Sequence, residues 1–525
     1  MRPALARHAG LPLAALLLAA PLAAPRAAAA QERPTDDDIF GAPPPAKPPV
    51  AAPAASPATA PAQAAAPDAD PRATDILGAD HRAPDGRIEG TREDPLRVGG
   101  LVYLRGTLST YQRPSGGWDA PFASPSLVDV FLDSRPNDRV RAYVLGRVFY
   151  TPTSAWSPLP ADLVPVQAVQ EVRGVLDQAY LNFDLERTVF VTVGKQHVKW
   201  GTGRFWNPTD YLHPVRRDPL SQYDDRTGTA LVKAHLPWER RGWNFYAVAV
   251  LEDLAGGATP QVPSRAGNEV AVGDRIGAGG RAEVLLGSVE LAADAVAQQG
   301  HRPRFGLDGS FPLGDLDLHF ELALRNGPDA PRYRKLDCVE SPTHLCTSFG
   351  NLYGTTAPKG VQPAAVLGGD WSWKYSDEDS LTVGAEYAYD RSGYTTARIY
   401  PALLVAPGVT GAPDRRNGFT PFGLGQSYAG VFLSVPKPGS WNDTTFTLTG
   451  LANLSDGSGV VRLDHAVVLN TYLTLETYLA SHLGHRGGEF RFGGLFPNVL
   501  TAAPDDTVAV ATPVVDAGLA LRLKL

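Results

Sequence analysis

The sequence is poor in cysteine and methionine and carries no excess of positive charge. Two of its 525 residues are cysteine and one is methionine, which excludes a dense disulfide framework and a cysteine-rich metal domain. Its 48 lysine and arginine residues are outnumbered by 55 aspartate and glutamate residues, so the net charge is −7. Nucleic-acid-binding surfaces carry a basic excess, and the composition therefore predicts no nucleic-acid partner.

Long apolar runs are also missing beyond the first 30 residues. Arg2 and Arg7 precede an apolar run from Leu11 to Ala24, and the small-residue string Ala27–Ala30 follows it. That order is typical of a secretory signal peptide, so we predict a signal peptide over residues 1–30; an anchoring helix is the alternative. The rest of the sequence contains no apolar segment of the length that a membrane-spanning helix needs, about 20 residues.

Recognisable catalytic and ligand-binding motifs are scarce. The sequence contains no Gly-x-Ser-x-Gly motif, and the glycine-rich segment Gly277–Ala282 falls inside a candidate strand rather than before a helix. His482, His485 and Glu489 could hold a metal ion from a loop, although three polar residues in a loop are more often simply solvated. The sequence therefore predicts no enzymatic activity, no cofactor and no metal site.

The two cysteines, Cys338 and Cys346, have seven residues between them in a loop-like stretch. Closely spaced cysteines on the secretory route most simply form a local disulfide, and we predict that these two do. A metal site is the alternative, for which His344 would be the one further ligand nearby.

Alkylation tests this disulfide. If Cys338 and Cys346 are oxidised, a maleimide added to the native, unreduced protein should label neither, and prior reduction should expose both. The bond would close a small ring and lower the conformational entropy of the unfolded chain. Labelling of both thiols without reductant would contradict the pairing.

Beyond the first 96 residues the sequence alternates in polarity. From Asp315 to Arg325, eleven residues, every even position is large and apolar and the odd positions are nearly all ionisable. A period of two is typical of a β-strand with one apolar and one wet face, and this length suits a tilted strand that crosses a bilayer. The segment Leu519–Leu525 repeats the rhythm. Because only a closed sheet satisfies its backbone hydrogen bonds in lipid, we predict an all-β transmembrane antiparallel barrel.

Turn and loop lengths set the size of this barrel. Candidate strands over residues 97–525 are joined alternately by short turns and long connections, the outer-membrane pattern of periplasmic turns and extracellular loops. Counting gives about 18 strands with both ends on the periplasmic side, or about 16 if strand boundaries shift by a few residues. Short turns are predicted at 134–138, 185–187, 237–242, 286–287, 312–314, 375–379, 436–443 and 468–471. Long connections are predicted at 112–125, 151–174, 200–226, 252–274, 326–362, 391–425 and 482–512, with short exceptions near 299–303 and 454–458.

Residues 31–96 differ in composition from the rest of the chain. Proline and alanine make up nearly all of residues 42–67, and such a segment cannot bury a core. We therefore predict a disordered periplasmic arm. Two similar acidic and apolar fragments, Asp38–Gly41 and Asp75–Gly78, flank the proline–alanine tract. Either they dock a periplasmic protein partner or their likeness is chance.

Charges on the predicted lumen face separate by sign. The alternation places arginines on an early wall and carboxylates on a later wall, which would create a transverse field across the pore. A random distribution of lumen charges is the alternative. The arginines, on the first three strands, are Arg105, Arg139, Arg141 and Arg147. The carboxylates, on strands nine to eleven, are Glu290, Asp294, Asp308, Asp315, Asp317 and Glu321, and Arg304 and Arg325 partly offset them.

The densest motif runs from Gly194 to Arg226. Up to Val193 the strand alternates cleanly, but the lipid-facing phase then carries Lys195, His197 and Lys199. Charges face lipid only at high cost, so either a bulge at Gly194 flips the phase or the strand leaves the membrane there. We interpret the segment that follows as a long loop that either folds into the pore and constricts it or lies over the mouth. Its constriction candidates are Arg204, Arg216 and Arg217.

The segment Gly194–Asp210, Gly-Lys-Gln-x-x-x-Trp-Gly-x-Gly-x-Phe-x-Asn-Pro-x-Asp, resembles a segment of large Gram-negative outer-membrane barrels that are porin-like. The chain departs from many such barrels at its last residue, Leu525, where they end in Phe or Trp. The resemblance implies a place in the bacterial outer membrane, in contact with its lipid. Two functions are left open, and the first is a porin or substrate-specific channel for passive passage of small solutes. The alternative is a barrel that serves as an interaction or assembly platform for periplasmic or surface partners.

Overall fold

The described part of the chain is almost entirely β-structure. The computed structural model describes residues 95–153, 171–213, 216–224, 226–251, 276–299, 301–327, 332–337, 349–356, 358–376, 379–405, 419, 421–497 and 507–525. The predicted signal peptide, residues 31–94 of the predicted arm with its two fragments, and Cys338 and Cys346 all lie outside these residues and stay predictions. Leu96 already belongs to the first strand.

Eighteen long strands form the wall of a barrel. They are β1 (Leu96–Gln112), β4 (Ser126–Asn137), β5 (Val140–Tyr150), β6 (Val172–Leu185), β7 (Val189–Gln196), β8 (Thr229–Trp238), β9 (Trp243–Val250), β10 (Gly277–Leu286), β11 (Val289–Gln298), β12 (Arg304–Leu313), β13 (Leu316–Asn326), β16 (Val361–Lys374), β17 (Ser380–Asp390), β18 (Ser427–Pro436), β19 (Thr444–Asn453), β20 (Ser458–Asn470), β21 (Leu473–Gly484) and β24 (Thr512–Lys524).

The wall closes because its first and last strands pair with each other. β1 lies antiparallel to β24, from Leu101 opposite Lys524 to Gln112 opposite Thr512. The other neighbours pair antiparallel in chain order, as β12 does with β13 and β13 with β16. The predicted antiparallel barrel and its count of 18 strands are therefore confirmed. Both chain ends of the wall lie at the edge that carries the short turns, such as the one at Gly314, whose φ of +66° favours glycine.

The outer surface of the barrel is apolar. On β13 the even-numbered residues predicted to face lipid do point outward, and Phe320 lies opposite Leu367, which is 63% exposed. Trp371 and Trp373 follow Leu367 on the same face of β16, next to the turn at 375–379. Tryptophan at a strand end is typical of the interfacial girdle of a membrane barrel. The chain is therefore a transmembrane barrel of the bacterial outer-membrane type.

The remaining elements lie in the connections. Among the described residues, no helix is long and apolar enough to cross a membrane. Two short strands pair with β1, namely β2 (Trp118–Asp119) and β3 (Phe122–Ala123). Two further hairpins are β14 (Arg332–Lys335) with β15 (Tyr353–Thr356) and β22 (Gly494–Pro497) with β23 (Thr507–Val510). The helices are α1 (Phe349–Leu352) and α2 (Tyr400–Val405), with 3-10 turns at Ala397–Ile399 and Glu489–Arg491.

Three long connections share a small hydrophobic core beyond the ends of the wall strands, here called the outer cluster. It draws on residues between β13 and β16, between β17 and β18, and between β21 and β24. A buried carboxylate, Glu489, accepts hydrogen bonds from the hydroxyl of Tyr428 at 2.6 Å and the amide of Asn453 at 2.6 Å. Burial raises the pKa of Glu489 to about 7, an effect that these donors oppose. The buried members of the cluster are Tyr333, Tyr353, Ile399, Tyr400, Ala402, Leu403, Leu424, Phe492, Val508 and Val510.

Candidate constriction of the barrel

The densest sequence motif leaves the wall and turns inward. The register of β7 runs without a shift through Gly194, which lies opposite Tyr180 on one side and Leu231 on the other. The alternative of a bulge is therefore wrong, and the strand ends at Gln196. A Cβ atom at Gly194, whose φ is +129°, would collide with the carbonyl oxygen of Ala179. The connection 197–228, of which all but 214, 215 and 225 are described, is called the inner loop.

The first fastening of the inner loop is Glu321 on β13. Its carboxylate is 1% exposed and accepts hydrogen bonds from the backbone N–H groups of Thr202 (2.7 Å), Gly203 and Thr209 (3.1 Å). The hydroxyl of Thr209 donates a fourth, at 2.8 Å. Glu321 was predicted as a pore-lining charge. The structure instead places it beneath the inner loop, where N–H and O–H groups of the loop donate hydrogen bonds to its carboxylate.

The second fastening is Glu386 on β17, which sequence reasoning missed. Its carboxylate is 4% exposed and accepts the N–H groups of three successive residues, Arg204 (2.7 Å), Phe205 (3.1 Å) and Trp206 (2.8 Å). His319 of β13 lies 3.2 Å away. The alternation of β17 does place Glu386 on the inward face, but the same pattern marks many carboxylates of this wall. Nothing in the local sequence distinguishes a carboxylate that holds the inner loop from one that is solvated.

Apolar contacts complete the attachment along this side. Trp200, Tyr211 and Leu212 of the inner loop are buried against the inward faces of β8, β9, β11, β13 and β16. Phe205 packs edge-on against Phe432 of β18, with ring centroids 6.1 Å apart. Gly430 makes room for it, since a Cβ atom there would collide with the Phe205 ring. The first half of the inner loop is thus both hydrogen-bonded and packed.

The second half of the inner loop contacts the opposite part of the wall. The amide of Gln222 donates a hydrogen bond to Asp464 of β20 at 2.9 Å. The hydroxyl of Tyr223 lies between Asp129 of β4 and Arg147 of β5, and accepts a hydrogen bond from Arg147 at 2.8 Å. The inner loop therefore contacts strands on several sides of the lumen: β8 to β18 through its first half, and β4, β5 and β20 through its second half.

Arg204 and Arg216, two of the three candidate arginines, lie at different levels of the pore. The guanidinium of Arg204 lies 3.7 Å from the ring centroid of Phe432 and 4.0 Å from Asp370 on β16. The guanidinium of Arg216 is 3.6 Å from Asp390, at the outer end of β17. Asp390 pairs opposite Ala364, six residues before Asp370 on the same strand, which corresponds to roughly 20 Å. Arg217 is half-buried. Arg204 and Arg216 are therefore separated along the pore rather than gathered in a single ring.

Several of the buried lumen charges behind the predicted transverse field are paired with opposite charges next to them. Arg147 pairs with Asp129 at 2.7 Å and with Asp177 at 3.1 Å. Arg141 pairs with Asp133 at 2.8 Å. On the opposite wall, the two aspartates Asp294 and Asp308 share Arg281, at 3.2 Å for Asp294.

Two predicted lumen residues lie in turns instead. Arg139 precedes the first residue of β5 and pairs with Asp184 at 2.9 Å, with 48% of its side chain exposed. Asp315 lies in the exposed turn before β13, and Asp317 is exposed near the same end of the strand. Strand ends read from alternation err by a residue or two, which accounts for both misplacements.

The connection between β17 and β18, which contributes residues to the outer cluster, contacts the inner loop. The indole N–H of Trp206 donates a hydrogen bond to the carbonyl of Phe422 at 3.1 Å, and Arg216 donates to the carbonyl of Gly423 at 3.3 Å. Glu489 in turn accepts the N–H of Gly423 at 3.0 Å. The connection between β17 and β18 therefore lies directly above the inner loop.

His482, His485 and Glu489 were the residues that could have held a metal ion. In the part of the chain that the structure describes, no group of three or more His, Cys, Asp or Glu side chains is arranged to hold a metal ion. His482 is engaged by Asp516 at 2.7 Å and by the carbonyl of Phe490 at 2.6 Å. The glycine-rich segment Gly277–Ala282 lies within β10.

Similarity to known proteins is found among solved structures. No protein-family model matches the chain, and no curated protein matches it. Among solved structures it is similar to a BenF-like porin from Pseudomonas fluorescens Pf-5 (14% identity, 82% of this chain and 99% of the other, TM-score 0.46). It is also similar to the outer-membrane protein OpdK from Pseudomonas aeruginosa (11%, 82% and 98%, 0.45) and to OccAB1 from Acinetobacter baumannii (12%, 82% and 96%, 0.44). At these scores the likenesses say nothing about what this barrel admits.

Proposed function

We propose that this barrel is a channel for the passive passage of small polar solutes, with the inner loop as its constriction. One observation carries the proposal. A long loop lies inside the lumen, attached to the wall through two buried carboxylates, Glu321 and Glu386, and a file of apolar contacts. A loop held in this way narrows a pore to a fixed width, because it cannot swing aside without losing these contacts.

The lining beside the inner loop suits hydrated solutes. Arg204, Gln222, Phe432 and Asp464 line a small pocket between the loop and the wall. It offers a guanidinium, an amide and a carboxylate beside an aromatic ring. Mixed polar groups of this kind can replace part of a solute's hydration shell without binding it tightly, which is what conduction requires.

Conductance measurements test the proposal. Full-length protein purified from membranes and added to a planar bilayer should give stepwise conductance increases, and vesicles that contain it should swell in solutions of small neutral sugars. The heat-denatured preparation is the control, since it should give neither signal. A correctly folded barrel that stays silent in both assays would overturn the channel.

A surface platform is the second candidate. The outer cluster favours it, because three connections that share a hydrophobic core present a fixed surface to the outside rather than separate loops. A predicted periplasmic partner for Asp38–Gly41 and Asp75–Gly78 would extend this role to the other side of the membrane. A silent barrel would favour the platform.

A further inference from the structure

Four side chains form a hydrogen-bonded chain at the neck of the inner loop. Nε2 of His197 lies 2.8 Å from a carboxylate oxygen of Asp177, and Nδ1 of His197 lies 3.1 Å from Nε2 of His213. Nδ1 of His213 in turn lies 2.9 Å from a carboxylate oxygen of Asp210. The sequence of contacts is aspartate, histidine, histidine, aspartate. We call these four residues the clasp.

The contacts of the clasp depend on the number of protons on the two imidazoles. Each outer ring nitrogen faces a carboxylate oxygen, so each carries a hydrogen that it donates. The two inner nitrogens face each other at hydrogen-bond distance, so one of them carries a hydrogen and the other accepts it. All three contacts of the clasp are therefore satisfied when the four nitrogens of His197 and His213 hold three protons, which gives the pair one positive charge.

A second positive charge would break the clasp. A fourth proton puts N–H against N–H where the hydrogen bond had been, and places two imidazolium ions side by side. Both rings are largely buried, with His197 6% and His213 3% exposed, so water screens this repulsion poorly. The loss of a proton would leave two facing lone pairs instead. The clasp is therefore closed in one protonation state only.

The clasp joins the start, the middle and the end of the inner loop. His197 is the first residue after β7, and Asp210 and His213 belong to the middle of the loop. At the end of the loop, Arg226 pairs with Asp210 at 3.2 Å, and the N–H of Gly228 donates to Asp177 at 3.1 Å. When the histidines separate, the two ends of the loop lose a shared point of attachment.

The charged groups around the histidine pair are arginines and aspartates. Arg147 on β5 pairs with Asp177 of β6 at 3.1 Å, and with Asp129 of β4 at 2.7 Å. Within the loop, Arg226 pairs with Asp224 at 2.8 Å as well as with Asp210. Arginine stays charged throughout, whereas imidazole is the side chain that ordinarily titrates between about pH 5 and pH 8.

We propose that the clasp makes the inner loop pH-sensitive: uptake of a second proton by the His197–His213 pair loosens the neck of the loop and widens the pore. The link to pore width rests on the proposed channel function. The loosening of the loop does not, and it can be measured separately.

Hydrogen exchange of the full-length protein in detergent reads the loop itself. After correction for the intrinsic effect of pH, the amides of residues 210–213 and 226–228, at the neck of the loop, should lose protection as the pH falls from about 6.5 to about 5, where imidazoles take up protons. Single-channel conductance should rise over the same range. His213→Gln and His197→Asn each replace an ionisable ring by a neutral amide, and in both variants the dependence on pH should disappear.

His235→Gln is the matched control. His235 is another buried lumen-facing histidine, hydrogen-bonded to Asn244 at 2.9 Å and away from the clasp, so its replacement should leave the pH response intact. Heat-modifiable migration on a gel confirms that each variant folds. Equal loop protection at both pH values in the wild-type protein would overturn the clasp, as would a pH response that survives in both clasp variants. A pH-dependent loop in a barrel that does not conduct would support the clasp and overturn the channel.

Discussion

Replacing Glu321 and Glu386 together by alanine should release the inner loop and give the largest rise in conductance of any change in this barrel. Glu321 accepts four hydrogen bonds from the loop and Glu386 accepts three. A hydrogen bond to a charged group contributes about 1.5–3 kcal/mol. The double variant also leaves buried backbone N–H groups without acceptors, so that they need water instead. The loop should therefore move off the wall toward the lumen axis or the mouth.

Single-channel conductance and hydrogen exchange of the inner loop measure this release together. Protection of the amides of residues 202–209 should fall in Glu321→Ala and in Glu386→Ala, and fall furthest in the double variant. Asp317→Asn is the matched control, because Asp317 shares the strand and inward face of Glu321 but is exposed near the turn. Unchanged conductance and unchanged protection in a folded double variant would show that the loop is held by other contacts.

An arginine at Phe320 should impair insertion of the barrel far more than an arginine at Asp317. Phe320 points outward about halfway along β13, opposite Leu367 on one neighbour and Gly309 on the other. An arginine that faces lipid near the bilayer midplane costs roughly 2–4 kcal/mol. Asp317 lies on the opposite face of the same strand and is exposed, so the same side chain there stays in water.

Folding of purified, urea-unfolded protein into lipid vesicles measures the difference. The folded fraction can be read from heat-modifiable migration on a gel, over a series of urea concentrations. Phe320→Arg should fold at distinctly lower urea than the wild-type protein, and Asp317→Arg should fold almost as the wild-type protein does. Equal behaviour of the two variants would mean that the assignment of faces on β13 is wrong.

The alternation of residues determined the wall of this barrel. A strand of a membrane barrel must present apolar side chains to lipid and can present polar side chains to the lumen. The sequence of each strand therefore indicates which of its faces points outward. That is why Asp315–Arg325 sufficed to orient β13. The lengths of turns and loops, which depend equally on local sequence, set the count of 18 strands and the edge where both ends lie.

Only the tertiary structure decided what the inward carboxylates and arginines do. In the sequence Asp317 and Glu321 are equivalent members of one alternating strand, yet one is exposed and the other holds the inner loop through residues more than 100 positions away. Alternation placed Glu386 on the inward face, but nothing local showed that it holds the loop. Arg147 was predicted to line the pore, whereas in the structure it is buried between Asp129 of β4 and Asp177 of β6. Periodicity is a property of one strand in its solvent. A contact between the inner loop and the wall forms only when the wall is closed and the loop is folded against it.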